Sequence, residues 1–427
     1  MQAFRRSIRD VLRDNSANAM VVSAFALFAM IGGAGLATDT VQWTLWKRQL
    51  QRMADSGAIS GAYALAGGAS ANAAATKEFG RYSYITLSGT PTVQTPPTAG
   101  PHTGDTGAVR VVLTTSRSLP FSSLFMNNTP TITAEATGAV VDFGDYCVRS
   151  LEPGTTTGIT MQGSAIVNLG CGMHTNSQGS PAVVAGGSST ITASPVGAVG
   201  AIPSSNNYAS GTLLQPYSLK QPDPYAGLAD PVVPNGCSPK INIGSGNGNG
   251  NGNGNGGNNV VNPGCYRGVD IQGNATFRPG TYIIDGDFKL GAQARVSGDG
   301  VTFILTSNNV ASSPYSVGTL KINGGAEMDF KAPTSGTYTG ILFYQDRRAA
   351  DAGGNANIIN GNSSSVMEGA IYMPAQEVNF NGTTGFNTTC FYLVSRRVSF
   401  SGNSAIDNNC TRFPPPDMTG VQVRLVN

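Results

Sequence analysis

Residues 15–38 carry no charge, and between Met20 and Ala37 the only conventional polar side chain is Ser23. As a helix, such a run is long enough to cross a bilayer, which takes about 20 apolar residues. Arg5, Arg6, Arg9 and Arg13 precede it and are expected on the cytoplasmic side, which puts the chain after Asp39 in the periplasm or outside the cell. A cleaved signal peptide has the same basic and apolar parts, and Gly35-Leu36-Ala37 would pass as its small-x-small cleavage site. The residues that follow favour an anchor. Trp43, Trp46, Leu50, Met53, Gly57, Gly61 and Leu65 recur at steps of three or four, so the helix continues beyond the apolar run with one consistent face. Trp43 and Trp46 fall where indoles favour the headgroup zone, flanked by Lys47, Arg48 and Arg52. Farther along, Ala54, Gly57, Ala58, Gly61 and Ala62 form a small-residue packing face, open either to another helix or to the protein's own downstream strands.

Composition narrows the class. With 26 basic and 24 acidic residues the net charge is +2, so bulk charge does not steer the chain to nucleic acid. Charged residues are 12% of the 427, about half the usual share, while 56 Gly and 24 Pro supply many turns. A hydrophobic content of 40% still provides a sizeable core, which argues against wholesale disorder. Such a balance suits an exported, β-rich protein whose polar surface comes from Gly, Ser, Thr and Asn.

The basic leader, the apolar helix, Gly35-Leu36-Ala37-Thr38-Asp39, the aromatic pair and Leu50-Gln51-Arg52-Met53-Ala54-Asp55-Ser56-Gly57-Ala58 together resemble the N-terminal module of TadE/TadG-like proteins. That family serves the tight-adherence system that assembles Flp pili. The resemblance covers roughly the first 65 residues, and its specificity lies in the whole pattern. It implies a pilin-like protein of the bacterial inner membrane, with a single span, an exported body and other tight-adherence components as partners. One departure matters. Pilin processing uses a Gly before the apolar helix and a Glu five residues into it, whereas the first Glu here is Glu78 and Asn15-Ser16-Ala17-Asn18-Ala19 supplies neither. An unprocessed accessory protein is therefore expected, not the major pilin.

The expected organisation is a cytoplasmic leader at 1–16, a transmembrane helix at 17–38, an amphipathic helix at 39–80, a small pilin-like β segment at 81–145 and a β-helix-like body at 146–427. The fold class is mainly β. In the small β segment Val109, Val111 and Leu113 alternate with Arg110, Val112 and Thr114, and Ile132, Ala134 and Ala136 alternate with Thr131, Thr133 and Glu135, predicting two half-buried strands. In the body an apolar-x-small-x-small-x-apolar motif begins at Met161, Ile271, Leu290 and Ile322, with weaker copies at Phe380 and Phe400. Steps of 19 and 20 between neighbouring copies predict a right-handed parallel solenoid, with insertions accounting for the larger gaps. A β-sandwich is the rival, since it uses similar alternation.

Cys147, Cys171, Cys237, Cys265, Cys390 and Cys410 suit an oxidising compartment. Sequential pairing is preferred among the 15 possible connectivities. The tract at 244–259 alternates Gly and Asn and reads as a flexible excursion inside the Cys237 to Cys265 interval. It lacks the clustered carboxylates of a calcium site. With only His102 and His174 present, zinc is not expected either, nor any other metal or cofactor. Asp285, Asp287 and Asp299 sit among Gly-rich turns, where Asp makes local backbone hydrogen bonds. Asp346, Arg347, Arg348 and Asp351 read as a charged loop tip. No catalytic constellation stands out. A structural role in pilus assembly or adherence is expected, and the alternative is a membrane-tethered β-helix that binds or cleaves polysaccharide.

Overall fold

The computed structural model describes residues 15–126, 128–244, 259–353, 356–361, 364–382, 390–405, 410, 412–414 and 416–426. The chain is mainly β and divides into two compact units, Met1–Val141 with Val423–Asn427, and Asp142–Gln422.

In the first unit a single helix, α1 (Asn15–Ala66), runs through the apolar stretch and on past Asp39 without a break. It stops at Gly67-Gly68. Gly68 adopts φ +72°, a left-handed backbone that glycine enters at no steric cost, and the Ala69 N–H then reaches back to the Ala64 carbonyl at 2.8 Å. The amphipathic helix expected over 39–80 is thus two helices. Ser70 caps the second, α2 (Ala71–Phe79), by accepting the Ala73 N–H at 3.2 Å, and the glycine pair lets α2 fold back onto α1. Against this pair lies a small antiparallel sheet of β1 (Thr92–Gln94), β2 (Ala108–Ser116) and the first half of β3 (Thr131–Ser150), with Val111 opposite Ala136 and Leu113 opposite Ala134. Val109, Val111, Leu113, Ile132, Ala134 and Ala136 are buried as their alternation predicts, together with Leu50, Met53, Ala54, Ala58 and Ala62 of α1.

The second unit is built from parallel pairings, which an antiparallel sandwich does not contain. Three ladders run through it. In the first, Ile243, Ile271, Leu290, Ile322, Ile359, Phe380, Phe400, Met161 and Ala185 occupy one continuous row. Every motif start recognised in the sequence lies in that row. In the second ladder Tyr282, Phe303, Phe343, Ile371, Leu393, Val148, Met173, Val196 and Leu214 are aligned. In the third, Val261, Phe277, Gly298, Phe330 and Met367 are aligned. These rows bury one large apolar core, because side chains alternate across a strand and stacked strands place like positions over one another.

Two features differ from the sequence expectation. The motif copies at 271 and 290 agree in their first strand but slip in the next, so Ala275 pairs with Val296 and not with Ala294. The turn after Leu290 is longer than the one after Ile271, which moves the second register by two residues. Nor does the wide gap between Met161 and Ile271 come from insertions. The chain enters the ladders partway along, at 146–168, and runs one way to Gln215. It then starts again at Ile241 and winds back until Val398 pairs with Ile159, so the last ladder strand lies beside the first.

The connection at 216–240 is held by side chains from two ladder strands and from the turn after Ile341–Gln345. The buried Arg149 donates to the Pro222 carbonyl at 2.8 Å, and the Tyr372 hydroxyl donates to Asp223 at 2.7 Å. Arg347 donates to the carbonyls of Tyr225, Ala226 and Leu228, and Arg348 to that of Pro231. Disulfides join Cys147 to Cys171, Cys237 to Cys265 and Cys390 to Cys410, the sequential pairing. The Gly/Asn tract, at 245–258, lies outside the described residues.

Candidate membrane anchor and exposed polar face

Along α1 the apolar part and the packed part separate at one residue. Val21, Val22, Phe25, Leu27, Phe28, Met30, Ile31 and Leu36 are each more than half exposed, and nothing in the most apolar window of the helix, with mean hydropathy 1.9, is buried. An 18-residue window rises about 27 Å as a helix, close to the roughly 30 Å of a hydrocarbon core. Arg5, Arg6, Arg9 and Arg13 lie outside the described residues. At Asp39 the pattern changes. Its side chain is 2% exposed, and its carboxylate accepts the N–H groups of Phe121, at 3.1 Å, and of Ser122. One turn earlier the Phe121 ring lies against Gly35, where any Cβ would collide with it.

Beyond Asp39 the small face of α1 is filled from within its own unit. A Cβ at Gly57 would run into the Phe79 ring, one at Gly61 into Val109, and the backbone at Gly138 comes up against Ala58. Ala54, Ala58 and Ala62 are fully buried there. Of the two readings of Ala54, Gly57, Ala58, Gly61 and Ala62, packing on the protein's own downstream elements is the one seen, and the face is not free for another helix. Small side chains allow this because α2 and β2 approach the helix axis closely. Trp43 is 47% exposed, whereas Trp46 packs partly on the core with the Arg117 guanidinium 5.5 Å from its ring centroid.

In the second unit the third ladder presents an outward polar face. Asn274, Arg295 and Glu327 form one row and Thr276, Ser297 and Asp329 the next, lining a shallow groove of about 300 Å³. Arg295 pairs with Glu327 at 2.9 Å, and the Thr276 and Ser297 hydroxyls are 3.4 Å apart. This surface offers hydrogen-bond donors and acceptors at the regular inter-strand spacing of about 4.8 Å, a geometry that could follow a polar polymer. Only the alternation of Thr276, Ser297 and Asp329 with buried neighbours could have pointed to it in the sequence.

Of the carboxylates singled out in the sequence, Asp285 lies in a ladder strand beside Thr306, and Asp287, Asp299, Asp346 and Asp351 bond to the scaffold. Asp287 accepts the backbone N–H and hydroxyl of Thr319 and pairs with Lys289 at 2.8 Å, while Asp299 pairs with Arg412. Asp346 is not on a charged loop tip. It is fully buried, accepting from Thr306 at 2.7 Å and from Arg348 at 2.6 Å. Asp351 belongs to a cluster that the sequence did not reveal, because its members lie far apart in the chain. Arg397 donates to Asp351 through two nitrogens at 2.9 and 2.7 Å, to Glu152 at 2.8 Å and to Glu377 at 3.1 Å, and Arg396 donates to Glu152 at 2.9 Å.

Burial opposes the charge on Glu152, but hydrogen bonds from Arg396 and Arg397 outweigh it and hold its carboxyl below the ordinary glutamate value. The hydrogen bond from Arg397 holds Asp351 low as well. Both folded-state values are depressed, so this stabilisation is present above the unfolded values of about 4 and is lost as pH falls through the lower folded ones. Thermal unfolding followed from pH 7 to pH 2.5 is expected to show Tm falling from about pH 6.5 downwards, with the carboxylate contribution setting in near pH 5, and Arg397→Met should flatten the part of the slope below pH 5. His174 steepens the same slope: burial and then the neighbouring Arg149 guanidinium push its imidazole down to about 3, so the unfolded state takes up a proton that the folded state does not, and stability is lost as pH falls from about 6.5 towards 3. His102 lies in the first unit beside Asp105, and among the described residues no group of three His, Cys, Asp or Glu side chains is placed to hold a metal ion. No protein-family model, curated protein or solved structure matches this chain.

Proposed function

We propose that this protein is a non-enzymatic component of tight-adherence pilus assembly or surface adherence, held in the bacterial inner membrane by one N-terminal span. Its second unit is read as a right-handed parallel β-helix, exported across that membrane and working through protein or surface contacts. The observation that carries this reading is the continuity of α1: an unburied apolar rod passes, without a break in the helix, into a segment whose small-residue face belongs to the core of a folded unit. A cleaved signal peptide has no use for that continuity. Cutting at Gly35-Leu36-Ala37 would also remove the backbone on which Phe121 packs. Three disulfides suit an oxidising compartment, and the similarity of residues 35–39 and 50–58 to TadE/TadG-like proteins supplies the assembly context.

The test is alkaline carbonate extraction of membranes, with N-terminal sequencing of the extracted protein. Retention in the pellet with an N-terminus ahead of residue 15 is expected. A soluble protein starting at residue 38 would overturn the proposal. A second reading, a tethered polysaccharide-binding or polysaccharide-cleaving protein, is favoured by the polar groove alone. Glycan-array and reducing-sugar assays on the detergent-solubilised full chain address it, and binding lost in Arg295→Ala would move the ranking to that reading.

A further inference from the structure

The loop at 119–126 in the first unit carries its apolar side chains the wrong way round for a soluble protein. Leu124 and Phe125 are 74% and 75% exposed and Met126 is 49% exposed, side by side at the tip. Scattered exposed apolar residues need no explanation, but three in a row on a short turn form a patch. This patch is held in a defined place. Asp39 accepts the Phe121 and Ser122 N–H groups, the Phe121 ring sits on Gly35, and the Phe121 and Phe125 rings are 5.5 Å apart. Gly35 and Asp39 are one turn apart on α1, at the end of its exposed apolar stretch. The loop is therefore fastened beside the helix at the level where the span ends.

The chemistry around it matches that level of a bilayer. Val41, Trp43 and Leu45 continue the exposed apolar surface of α1 for another turn, and Lys47 and Arg48 follow, exposed, with Arg117 at the base of the loop. Apolar and indole groups first, then cations, is the order of the acyl boundary and the phosphate layer. Ser123, Asn128 and Thr129 provide polar groups to the headgroups on either side of the tip.

We infer that residues 119–126 form a second membrane element, in which Leu124, Phe125 and Met126 enter the acyl boundary of the leaflet where α1 emerges, with Asp39 as the positioning residue. This rests on the membrane span proposed above. The occupant is lipid because the tip continues a helix surface that is already apolar and unburied, and the flanking cations complement anionic headgroups. Two attachments at one level would fix the tilt and rotation of the first unit on the membrane, which a lone helix leaves free.

The experiment uses the full chain in phosphatidylcholine and phosphatidylglycerol vesicles. All six native cysteines are in disulfides, so a nitroxide can be placed at Leu124→Cys, Phe28→Cys or Tyr315→Cys, the last a site 77% exposed in the second unit. Collision with oxygen and with a water-soluble nickel chelate is then measured. Leu124 and Phe28 are expected to be several-fold better shielded from nickel than Tyr315. Nickel access at Leu124 equal to that at Tyr315, with Phe28 shielded, would overturn the loop assignment and leave the span intact. Access at Phe28 would overturn the span and the loop with it. Asp39→Ala should raise nickel access at Leu124 several-fold while leaving Phe28 unchanged, and Asp39→Asn, which keeps an acceptor oxygen, should largely restore shielding. Unchanged access at Leu124 in Asp39→Ala would remove the positioning role. Should Asp39→Ala fail to fold, Gly35→Leu displaces Phe121 instead and is expected to unshield Leu124; a loop still shielded there overturns the docking contact.

Discussion

Replacing Phe28 and Ile31 with lysine is expected to shift the protein from the carbonate-resistant membrane pellet to the soluble or aggregated fraction. Both side chains are exposed, at 75% and 53%, and neither belongs to a packed cluster of the protein. The folded units should keep their unfolding transitions, while the cost falls on insertion. A lysine at the centre of a spanning helix costs about 2.5–3.5 kcal/mol, and the lost Phe and Ile contributions add a few tenths each. Two such changes therefore total on the order of 6 kcal/mol, roughly 10⁴ in the partition constant. Circular dichroism of the released protein, set beside the fractionation, separates loss of anchoring from loss of fold. A doubly substituted protein that stays in the pellet in folded form would show that something other than this helix holds it there.

Phe303→Ala is expected to produce the largest stability loss of any single core substitution. Its ring lies 4.8–5.3 Å from those of Phe277, Tyr282, Phe288, Phe330 and Phe343, and it is fully buried in the second ladder. Removing such a side chain costs about 3–5 kcal/mol, since the stacked strands on either side hold the cavity open. At about 2–4 °C per kcal/mol for a unit of this size, Tm should fall by roughly 10 °C. Tyr315→Ala, 77% exposed, is the control and should stay within about 0.5 kcal/mol of the parent. A drop at Phe303 no larger than at Tyr315 would mean that the aromatic rows do not pack as described.

Local patterns in the chain were readable because each reports something a short segment decides for itself. The apolar run at 15–38, the alternation at Val109, Val111 and Leu113, and the motif starts at Met161, Ile271, Leu290, Ile322, Phe380 and Phe400 all follow from the periods of helix and strand. The single row those motif starts occupy is a direct consequence, since a position that must point inward in one strand must do so in the strand stacked on it. The helix expected over 39–80 is broken at Gly67-Gly68, and the composition of that turn does not say that α2 folds back to fill the face at Gly57 and Gly61.

Contacts between distant parts of the chain were not readable. Nothing near Arg397 in sequence names Glu152 or Asp351 as its partners. Asp346 looked like a surface charge because Arg347 and Arg348 follow it, whereas it is buried against Thr306 and Arg348 and the connection at 216–240 takes up both arginines. Similarly, Asp39 marks the end of an apolar run in the sequence, and only the fold delivers the Phe121 and Ser122 N–H groups to its carboxylate.

What the amino-acid order determined by itself was the length of the apolar run, the strand periods and the polar alternate faces, all set by near neighbours. The tertiary structure alone decided the order in which the ladder strands lie, with Val398 closing against Ile159, and the covering of the small face of α1. Parallel strands pair through backbone groups that are the same in every residue, so a repeat shows which side chains face inward but not which strand comes next.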